Sequence, residues 1–387
     1  MTLACVVTAT AGSGCSGGNG KATDAGAADT GVDAGPHSLI AHANPIISRG
    51  KTVVPSQASL VNNERYHDGG WTTRVAALPA SVALNLGAGP TRLLVQWDDG
   101  GTYNYKDPAG TTVYGLPMAY TLDVSGDSTN GTDGTWTSVV TVTDNAVRSR
   151  GHAIDFTGKS WLRMSITGAP PTISSNGVQI GEIDVHDISA TGTGLPDDTW
   201  FFMGDSITAF AYDRTTAHQP SFAAWINSGL PAFFPAMING GIGSETSAMG
   251  LARLPEALAL NPDYRFFVLG YGTNDANHGT VDAFRSNMQG MIDMVKAAGK
   301  IPVIPRIPYS ANSGYLKVPD YNAVVDELVA SNHLIAGPDF YAHFMAHPDE
   351  YTCPPCGGRT TDNLHPNDVG LAAMNQLWAE AVLANYP

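Results

Sequence analysis

The side chains best suited to chemistry lie in short segments in the middle and near the end of the chain. Ser206 stands in a Gly-Asp-Ser sequence, and much later Asp362 precedes His365 by three positions. A serine hydroxyl is a poor nucleophile at neutral pH, so it needs an adjacent base, and the base needs a carboxylate to orient it. The three-residue offset lets Asp362 bond one ring nitrogen of His365 and leaves the other nitrogen for Ser206. This set of residues predicts acyl transfer through a serine nucleophile.

Acyl transfer also needs hydrogen-bond donors for the negative charge that develops on the substrate oxygen. The glycine-rich turn 239–244 could expose backbone N–H groups as an oxyanion hole, and Asn274 in Gly-Thr-Asn-Asp could add its side-chain amide. The N–H of Ser206 would face the same space if the serine sits where a strand ends and a helix begins. Chemistry of this kind uses no metal and no organic cofactor, and we expect none.

The pattern of residues 199–387 predicts the elements that would bring these segments together. Apolar runs typical of buried strands alternate with helical segments, which predicts a three-layer, flavodoxin-like α/β domain with a parallel sheet. The apolar runs lie at 200–203, 234–238, 265–269, 301–305 and 334–336. The clearest helical segment follows Thr280 and ends at Gly299, with apolar residues at 281, 284, 288, 291, 292 and 295. A last helix carries the apolar residues Leu371, Met374, Leu377, Trp378 and Val382. In such a sheet ligands bind at the carboxyl ends of the strands, where the four chemical segments fall.

Residues 39–189 show short strand-like runs separated by turn residues, without a helical segment of useful length. Examples are 81–86, 92–97, 119–124, 139–142, 161–166 and 182–186. This pattern predicts an all-β sandwich domain, followed by a linker at 190–198. Residues 16–38 are of low complexity with almost nothing to bury, so we interpret 1–38 as an export leader and a flexible tether.

The ordered set in 199–387 resembles the SGNH/GDSL hydrolases, a family of serine esterases. The resemblance rests on Gly-Asp-Ser, Gly-x-Asn-Asp and a late Asp-x-x-His, and it implies that Ser206 is the nucleophile, Asn274 an oxyanion donor, His365 the base and Asp362 its partner. The oxyanion glycine of the family falls at Ser244 or, if the turn shifts by one, at Gly243. Both are candidates, and we prefer Ser244. Residues 246–255 also resemble the bacterial thioesterase/lysophospholipase branch.

The region 45–189 resembles a discoidin-like domain with a galactose-binding fold (F5/8 type C). The resemblance rests on Asp68-Gly69 before Trp71-Thr72, the Leu-Asn-Leu-Gly strand at 84–87, Tyr120-Thr121-Leu122, the Asp133-Gly134-x-Trp136 hairpin, and the strands at 161–163 and 180–183. It implies a possible glycan ligand in loops that the sequence does not identify. A structural β-sandwich packed on the catalytic domain is the alternative.

The first fifteen residues form a short segment rich in small, apolar residues, like the central part of an export signal. Ser13-Gly14-Cys15-Ser16 resembles the end of a bacterial lipoprotein signal, in which the cysteine is lipidated, and the alternative is a plain cleaved or unstructured leader. We therefore expect an exported protein, extracellular or on the outer surface of a bacterium. For Cys353 and Cys356 in Cys-Pro-Pro-Cys, a local disulfide is the default in such a compartment.

Several other polar residues could suggest a site, and simpler explanations are preferred for each. His343 and His347 precede the cysteine pair and imitate a zinc set, but Pro348 breaks the helix and exported cysteines favour a disulfide, so we expect no metal. We interpret Asp127, Asn130 and Asp133 as a hairpin turn rather than a Ca²⁺ site, His218 and His278 as surface histidines, and Asp205 and Asp275 as residues that cap or brace loops.

Composition narrows the partners. The chain of 387 residues has a net charge of −15, and such an acidic surface repels phosphate backbones and anionic membranes, so no nucleic-acid partner is expected. The expected substrate is a carboxylic ester, first an O-acetyl ester of a carbohydrate. The alternatives are a lipolytic or aryl esterase, or a lysophospholipase-thioesterase, and, from a different class, a non-catalytic glycan-binding surface protein.

Overall fold

The computed structural model describes residues 43–55, 71–73, 77–99, 115–169, 178–192, 197–212, 218–350 and 362–386. The predictions made for residues 1–38, including Cys15, for Asp68-Gly69 and for the Cys353–Cys356 disulfide lie outside the described residues. Residues 193–196 of the predicted linker lie outside them as well.

The described part of the N-terminal β region, residues 43–192, is built from antiparallel strands. They are β1 (Val53–Val54), β2 (Trp71–Thr73), β3 (Ala80–Asn85), β4 (Arg92–Asp98), β5 (Ala119–Ser125), β6 (Thr137–Val142), β7 (Ser149–Asp155), β8 (Trp161–Gly168), β9 (Val178–Ile180) and β10 (Glu182–Asp187). One sheet has the order β1-β3-β8-β5-β6, a second has the order β10-β4-β7, and β2 pairs with β9.

The two larger sheets of this region share one apolar core. Leu84, Leu122 and Met164 come from the first sheet, and Trp97 and Val185 come from the second, and all are buried in the same cluster. Successive side chains of a strand point to opposite faces, so each sheet contributes one face to this core.

The C-terminal α/β region, residues 197–386, alternates strands with helices. Its elements are β11 (Thr199–Gly204), α1 (Ser206–Ala211), α2 (Phe222–Gly229), β12 (Ala236–Gly241), α3 (Ser247–Leu260), β13 (Phe266–Gly270), α4 (Thr273–His278), α5 (Val281–Ala297), β14 (Ile301–Arg306), α6 (Val318–Ser331), β15 (Ile335–Asp339), α7 (Phe340–Ala346) and α8 (Asp368–Leu383). The strands form one parallel sheet of order β12-β11-β13-β14-β15. This confirms the predicted parallel sheet with helices.

A separate apolar core packs against each face of this parallel sheet. One contains Phe201, Leu254 and Met288 together with residues of α6, and the other contains Phe202, Phe222 and Trp378. The predicted helix after Thr280 is α5: its apolar face is buried except at Val281, which is partly buried, and the Thr280 hydroxyl accepts a hydrogen bond from the N–H of Ala283. Among the residues that the structure describes, none of the helices has the length and apolar character needed to span a bilayer.

The second strand of the α/β region corrects one detail of the sequence analysis. Part of the stretch predicted as a turn, residues 239–241, is the end of β12, where Asn239, Gly240 and Gly241 pair with β11. A Cβ at Gly240 would collide with the ring of Phe201, and one at Gly241 would collide with the backbone of Ala209. Glycine at positions 240 and 241 lets β12 pack closely against Phe201 of β11 and Ala209 of α1, and the turn itself begins at Ile242.

The N-terminal β region packs against the free edge of β12. The Ser149 hydroxyl donates a hydrogen bond to the carbonyl of Asn239, and the N–H of Gly151 donates one of 3.1 Å to Oδ1 of Asn261. Nε2 of Gln96 donates a buried hydrogen bond of 2.7 Å to the Tyr264 hydroxyl. The first contact reaches the edge strand β12 itself, and the other two join the β region to the segment between α3 and β13, so the β region covers an edge that would otherwise be exposed.

Candidate active site

Ser206 lies at the junction of β11 and α1, at the carboxyl edge of the parallel sheet. It is the first residue of α1, and the preceding Asp205 caps that helix by accepting a 2.9 Å hydrogen bond from the N–H of Ile207. Gly204 ends the strand, where a Cβ would collide with Thr208 and with the carbonyl of Gly270. The Gly-Asp-Ser sequence thus gives a sharp turn that presents the serine hydroxyl at the strand end.

Ser206, His365 and Asp362 form one hydrogen-bonded row. The distance from Ser206 Oγ to His365 Nε2 is 2.8 Å, and the distance from His365 Nδ1 to Asp362 Oδ2 is 2.6 Å. The carboxylate must accept from Nδ1, so the proton sits on that nitrogen and Nε2 can accept the hydroxyl proton of Ser206. This is the geometry that a serine nucleophile with a histidine base requires.

The turn that carries Asp362 and His365 is held from inside. Asp362 Oδ1 accepts hydrogen bonds from the N–H groups of Leu364 at 2.9 Å and of His365 at 3.0 Å. Asn363 has φ 55°, a left-handed conformation that asparagine tolerates better than most residues. Burial alone would raise the pKa of Asp362, but the hydrogen bonds and charge of His365 outweigh it and lower the pKa of this carboxyl.

A neighbouring loop holds the same turn from outside, and the sequence analysis missed it. The Ser310 hydroxyl donates a 2.6 Å hydrogen bond to the carbonyl of Asn363, and Nδ2 of Asn312 donates one of 3.0 Å to the carbonyl of Asp362. Both residues follow β14 at the carboxyl edge of the sheet. That position was the available signal, although nothing in the residue types distinguishes them from ordinary loop residues.

The candidate oxyanion donors on the loop after β12 and at the start of α4 lie next to each other. Ser244 is exposed and has φ 64°, whereas Gly243 is buried and does not have a positive φ. Asn274, the second residue of α4, donates from Nδ2 a 2.9 Å hydrogen bond to the carbonyl of Glu245. A side-chain amide has two N–H groups, so this bond holds Asn274 beside residues 243–245 and leaves one N–H for a ligand.

Glu245 anchors the loop 242–245 after β12, which we call the oxyanion loop after its candidate donors. The sequence did not indicate this residue either. Its buried carboxylate accepts hydrogen bonds from Nε of Arg253 at 2.8 Å and from the Tyr271 hydroxyl at 3.0 Å. Nη2 of the same arginine donates a 2.7 Å hydrogen bond to the carbonyl of Gly240 in β12. The loop after β12 is therefore fixed at both ends by one buried charged pair.

The acidic residues beside the row have bracing contacts. Asp275 accepts the N–H of Ser247 at 2.9 Å and also the Ser247 hydroxyl, so it joins α4 to the start of α3. Asp205 is buried, and desolvation raises its pKa to about 7, assisted by the charges of Asp275 and Glu245. Neither carboxylate is part of the hydrogen-bonded row of Ser206, His365 and Asp362.

The two other histidines differ from each other. His278 is exposed at the end of α4. His218 was expected at the surface, and this expectation is wrong: the side chain is buried, with Nε2 3.2 Å from Oδ1 of Asp368. It packs beneath the start of α8, where one imidazole nitrogen finds a carboxylate partner. A single histidine with no apolar periodicity around it gave no sign of this burial.

The hairpin in the β region behaves as interpreted. Asp133 Oδ1 accepts hydrogen bonds from the N–H of Thr129 at 2.8 Å and from the Ser128 hydroxyl at 2.9 Å, and Asn130 closes the turn with its own side chain. The carboxylates of this segment are used by the turn.

Comparison with known proteins bears on the α/β region. Residues 202–373 match the model of the GDSL-like lipase/acylhydrolase family. A search of the curated proteins finds no match to this chain.

Solved structures that resemble the chain each align with about half of it. They include a lipase/acylhydrolase from Enterococcus faecalis, at 24% identity over 48% of this chain and 95% of that one, with a TM-score of 0.39. The psychrotrophic esterase EstA from Pseudoalteromonas sp. is 18% identical over 48% of this chain and 97% of that one, with a TM-score of 0.39. The acetylxylan esterase Axe2 from Geobacillus stearothermophilus is 17% identical over 49% and 93%, with a TM-score of 0.39.

The family match begins within β11, four residues before Ser206, and extends past His365 into α8. All three residues of the hydrogen-bonded row therefore fall inside it, as do Ser244 and Asn274. Residues 202–373 are thus similar in sequence to the GDSL-like lipase/acylhydrolase family, and they contain most of the parallel sheet and its helices.

Proposed function

We propose that this protein is an exported serine esterase that hydrolyses carboxylic esters, with Ser206 as nucleophile, His365 as base and Asp362 as the residue that orients the base. The supporting observation is the continuous row from Ser206 Oγ to His365 Nε2 at 2.8 Å and from His365 Nδ1 to Asp362 at 2.6 Å. The match of residues 202–373 to a lipase/acylhydrolase family supports the same reaction class.

The first half-reaction forms an acyl-enzyme. Ser206 Oγ attacks the carbonyl carbon of the ester while His365 Nε2 takes its proton, and the carbonyl oxygen becomes negatively charged. The N–H of Ser206, the N–H of Ser244 or Gly243 and the Asn274 amide stabilise that oxygen. Each such donor contributes about 10²- to 10³-fold to kcat in related chemistry. The tetrahedral intermediate then collapses, and His365 gives its proton to the departing alcohol oxygen.

The second half-reaction restores the enzyme. A water molecule takes the place of the alcohol, His365 accepts its proton, and the resulting hydroxide attacks the acyl carbon. Ser206 Oγ leaves and recovers its proton from His365, and the carboxylic acid departs. Asp362 stays ionised throughout because its lowered pKa keeps the carboxylate charged beside the imidazolium that forms in both steps.

The proposed substrates are O-acetyl esters of carbohydrates. Support comes from the export leader predicted from the sequence and from the N-terminal β region, whose two larger antiparallel sheets share one core. We propose that this region is a discoidin-like β-sandwich that binds glycans and holds the enzyme near its polymeric substrate. A lipoprotein anchor at Cys15 would place both regions on the outer surface of the cell.

A lipolytic or aryl esterase, including a lysophospholipase-thioesterase, is the second candidate. It is favoured by residues 246–255, whose sequence resembles that branch and which form the start of α3 beside the oxyanion loop. Met249, on the first turns of this helix, is 48% exposed and offers an apolar surface near Ser244. A non-catalytic glycan-binding protein would not need the Ser206–His365–Asp362 row.

The test is hydrolysis of p-nitrophenyl esters from acetate to palmitate by the wild-type chain and by Ser206→Ala. Activity limited to short acyl chains and lost in the variant supports the proposal, and acetylated xylan is then the next substrate. A preference for long chains favours the lipolytic candidate. If a folded wild-type protein is no more active than Ser206→Ala on any of these esters, the esterase proposal fails and the binding protein is favoured.

A further inference from the structure

Three potential metal ligands meet where α7 ends, away from the hydrogen-bonded row of Ser206. His343 and His347 are one helical turn apart, and Glu350 follows in a short 3₁₀ turn at 348–350. One ligand atom of each residue lies within 4.8 Å of the corresponding atoms of the other two. From the sequence no metal is expected at His343 and His347, and Glu350 is not among the candidate ligands there.

The local hydrogen bonds leave a lone pair of His347 free. Its Nδ1 lies 2.8 Å from the carbonyl oxygen of His343, and a carbonyl can only accept, so this nitrogen carries the proton. In the neutral imidazole Nε2 of His347 then bears the free lone pair, and the residue is exposed. A histidine whose other ring nitrogen donates to a backbone carbonyl has the tautomer and orientation that metal-binding histidines usually have.

The second histidine already lies against the carboxylate. Nε2 of His343 is 2.7 Å from Oε2 of Glu350, and the imidazoles of His343 and His347 stack at 4.3 Å. The side chains of His343 and Glu350 are 17% and 14% exposed, whereas His347 is exposed, so the group is accessible from solvent at His347. A small cation entering from solvent would meet two imidazoles and one carboxylate.

We propose that His343, His347 and Glu350 bind one divalent transition-metal ion, Zn²⁺ by the chemistry of the donors, with water completing its coordination. Two imidazole nitrogens and one carboxylate oxygen are a donor set that Zn²⁺ uses with a water as fourth ligand. His343 lies in the last turn of α7 and His347 is the C-cap of that helix, so the two histidines are four residues apart, the spacing at which a helix supplies two ligands to one ion.

The place of the site in the fold suggests what the metal does. The carbonyl of Glu350 accepts a 2.7 Å hydrogen bond from the N–H of Asn367, and Nδ2 of Asn367 donates one of 2.7 Å to the carbonyl of Asp349. Asn367 also caps α8 and is two residues beyond His365. A metal bound at the end of α7 would fix the 348–350 turn, and through Asn367 it would stabilise the segment that carries His365.

The test is metal binding by the full chain without an affinity tag, after removal of metal with a chelator. Zn²⁺ bound per chain is measured by equilibrium dialysis, and the ligand type is read from the absorption spectrum of the Co²⁺ form. We expect one ion per chain, a Co²⁺ spectrum with nitrogen and oxygen ligands only, and a Zn²⁺-dependent rise of the unfolding temperature.

Variants identify the ligands. His347→Ala and Glu350→Gln should each weaken Zn²⁺ binding at least tenfold, in line with the loss of one ligand, and should abolish the Zn²⁺-dependent rise of the unfolding temperature. His333→Asn is the matched control, because His333 is exposed, lies on another loop and has φ 52°, which asparagine tolerates. Equal Zn²⁺ binding by wild type and His347→Ala, or thiolate absorption in the Co²⁺ form, would overturn the proposal.

Discussion

Nη1 of Arg148 in the N-terminal β region donates a 2.9 Å hydrogen bond to the carbonyl oxygen of Gly241, the last residue of β12. The same guanidinium is paired with the buried Asp99 at 2.9 Å. The loop with Ser244 starts immediately after Gly241. One side chain of the β region therefore fixes the end of the strand that leads to a candidate oxyanion donor.

Replacement of Arg148 by lysine should lower kcat about tenfold. The lysine keeps a positive charge beside Asp99, but its single ammonium group cannot replace a planar guanidinium that bonds both Asp99 and Gly241. The expected loss is smaller than the 10²- to 10³-fold typical of an oxyanion donor, because Arg148 acts only by positioning the loop. The measurement is kcat and KM on p-nitrophenyl acetate, together with the unfolding temperature.

Arg163→Lys is the control for this change. Arg163 pairs with Asp123 at 3.0 Å in the other sheet of the β region and does not bond the α/β region in the contacts described. Its replacement should leave kcat unchanged. If the two variants lose the same fraction of kcat, or if Arg148→Lys raises KM alone, the β region does not position the oxyanion loop.

Replacement of Asp362 by asparagine should lower kcat about 10³- to 10⁴-fold while the chain stays folded. An asparagine Oδ1 can still accept the N–H groups of Leu364 and His365, but its Nδ2 would donate to Nδ1 of His365. The histidine would then carry its proton on Nε2 and could not accept one from Ser206. Kinetics on p-nitrophenyl acetate test this, and the exposed Asp320→Asn in α6 is the control. A loss below tenfold would mean that Asp362 does not orient the base.

Substitutions at Ser244 test whether its backbone N–H is an oxyanion donor, because its side chain takes no part in the proposed reaction. With φ 64°, Ser244→Gly should keep kcat within about twofold, because a backbone N–H is the donor and glycine adopts this conformation freely. Ser244→Val should lower both kcat and stability, since a β-branched residue is strained at positive φ by about 1–2 kcal/mol. If both variants match wild type, the N–H of this residue is not a donor, and Gly243 becomes the candidate.

The sequence was enough to predict the α/β region because its signals are local. The helix after Thr280 has both a cap and a buried stripe, and the strand runs are apolar on both faces because helices cover them. Gly204 and Ser206 mark a sharp strand-to-helix turn for the same kind of reason: only glycine fits against Thr208 there. The rule that ligands bind at the carboxyl ends of parallel strands then puts Ser206 and Asn274 at the same edge of the sheet, whereas the order of the strands comes only from the structure.

Residues that act from a distance in the chain could not be predicted. Arg148 is 93 positions from Gly241, and nothing in its neighbours distinguishes it from any strand-end arginine. Glu245 could not be singled out because a lone carboxylate after a glycine turn is usually solvated, whereas here Arg253 and Tyr271 bond it in a buried position. Their roles depend on packing between elements, which a one-dimensional pattern does not contain.

The buried carboxyl of Asp198 should make the free energy of unfolding depend on pH. Desolvation raises its pKa to about 7, even though Trp200 Nε1 and the Tyr386 hydroxyl donate to Oδ1 at 2.8 and 2.7 Å. The folded chain therefore holds a proton on Asp198 that the unfolded chain releases near pH 4, and the contribution of this group to the free energy of unfolding should fall as pH rises from about 4 to about 7. Asp205, whose pKa is also raised to about 7, contributes a fall of the same sign.

Asp198→Asn should flatten this dependence by up to about 1.4 kcal/mol per pH unit, because the amide keeps the acceptor oxygen but does not ionise. Urea unfolding of wild type and variant at pH 5, 6, 7 and 8 measures it, and the exposed Asp293→Asn in α5 is the control. The variant should gain on wild type as pH rises, with the largest difference at pH 8, and this difference isolates Asp198 because the other titrating groups are the same in both proteins. Parallel curves for the two proteins would show that Asp198 is already ionised in the fold at pH 5.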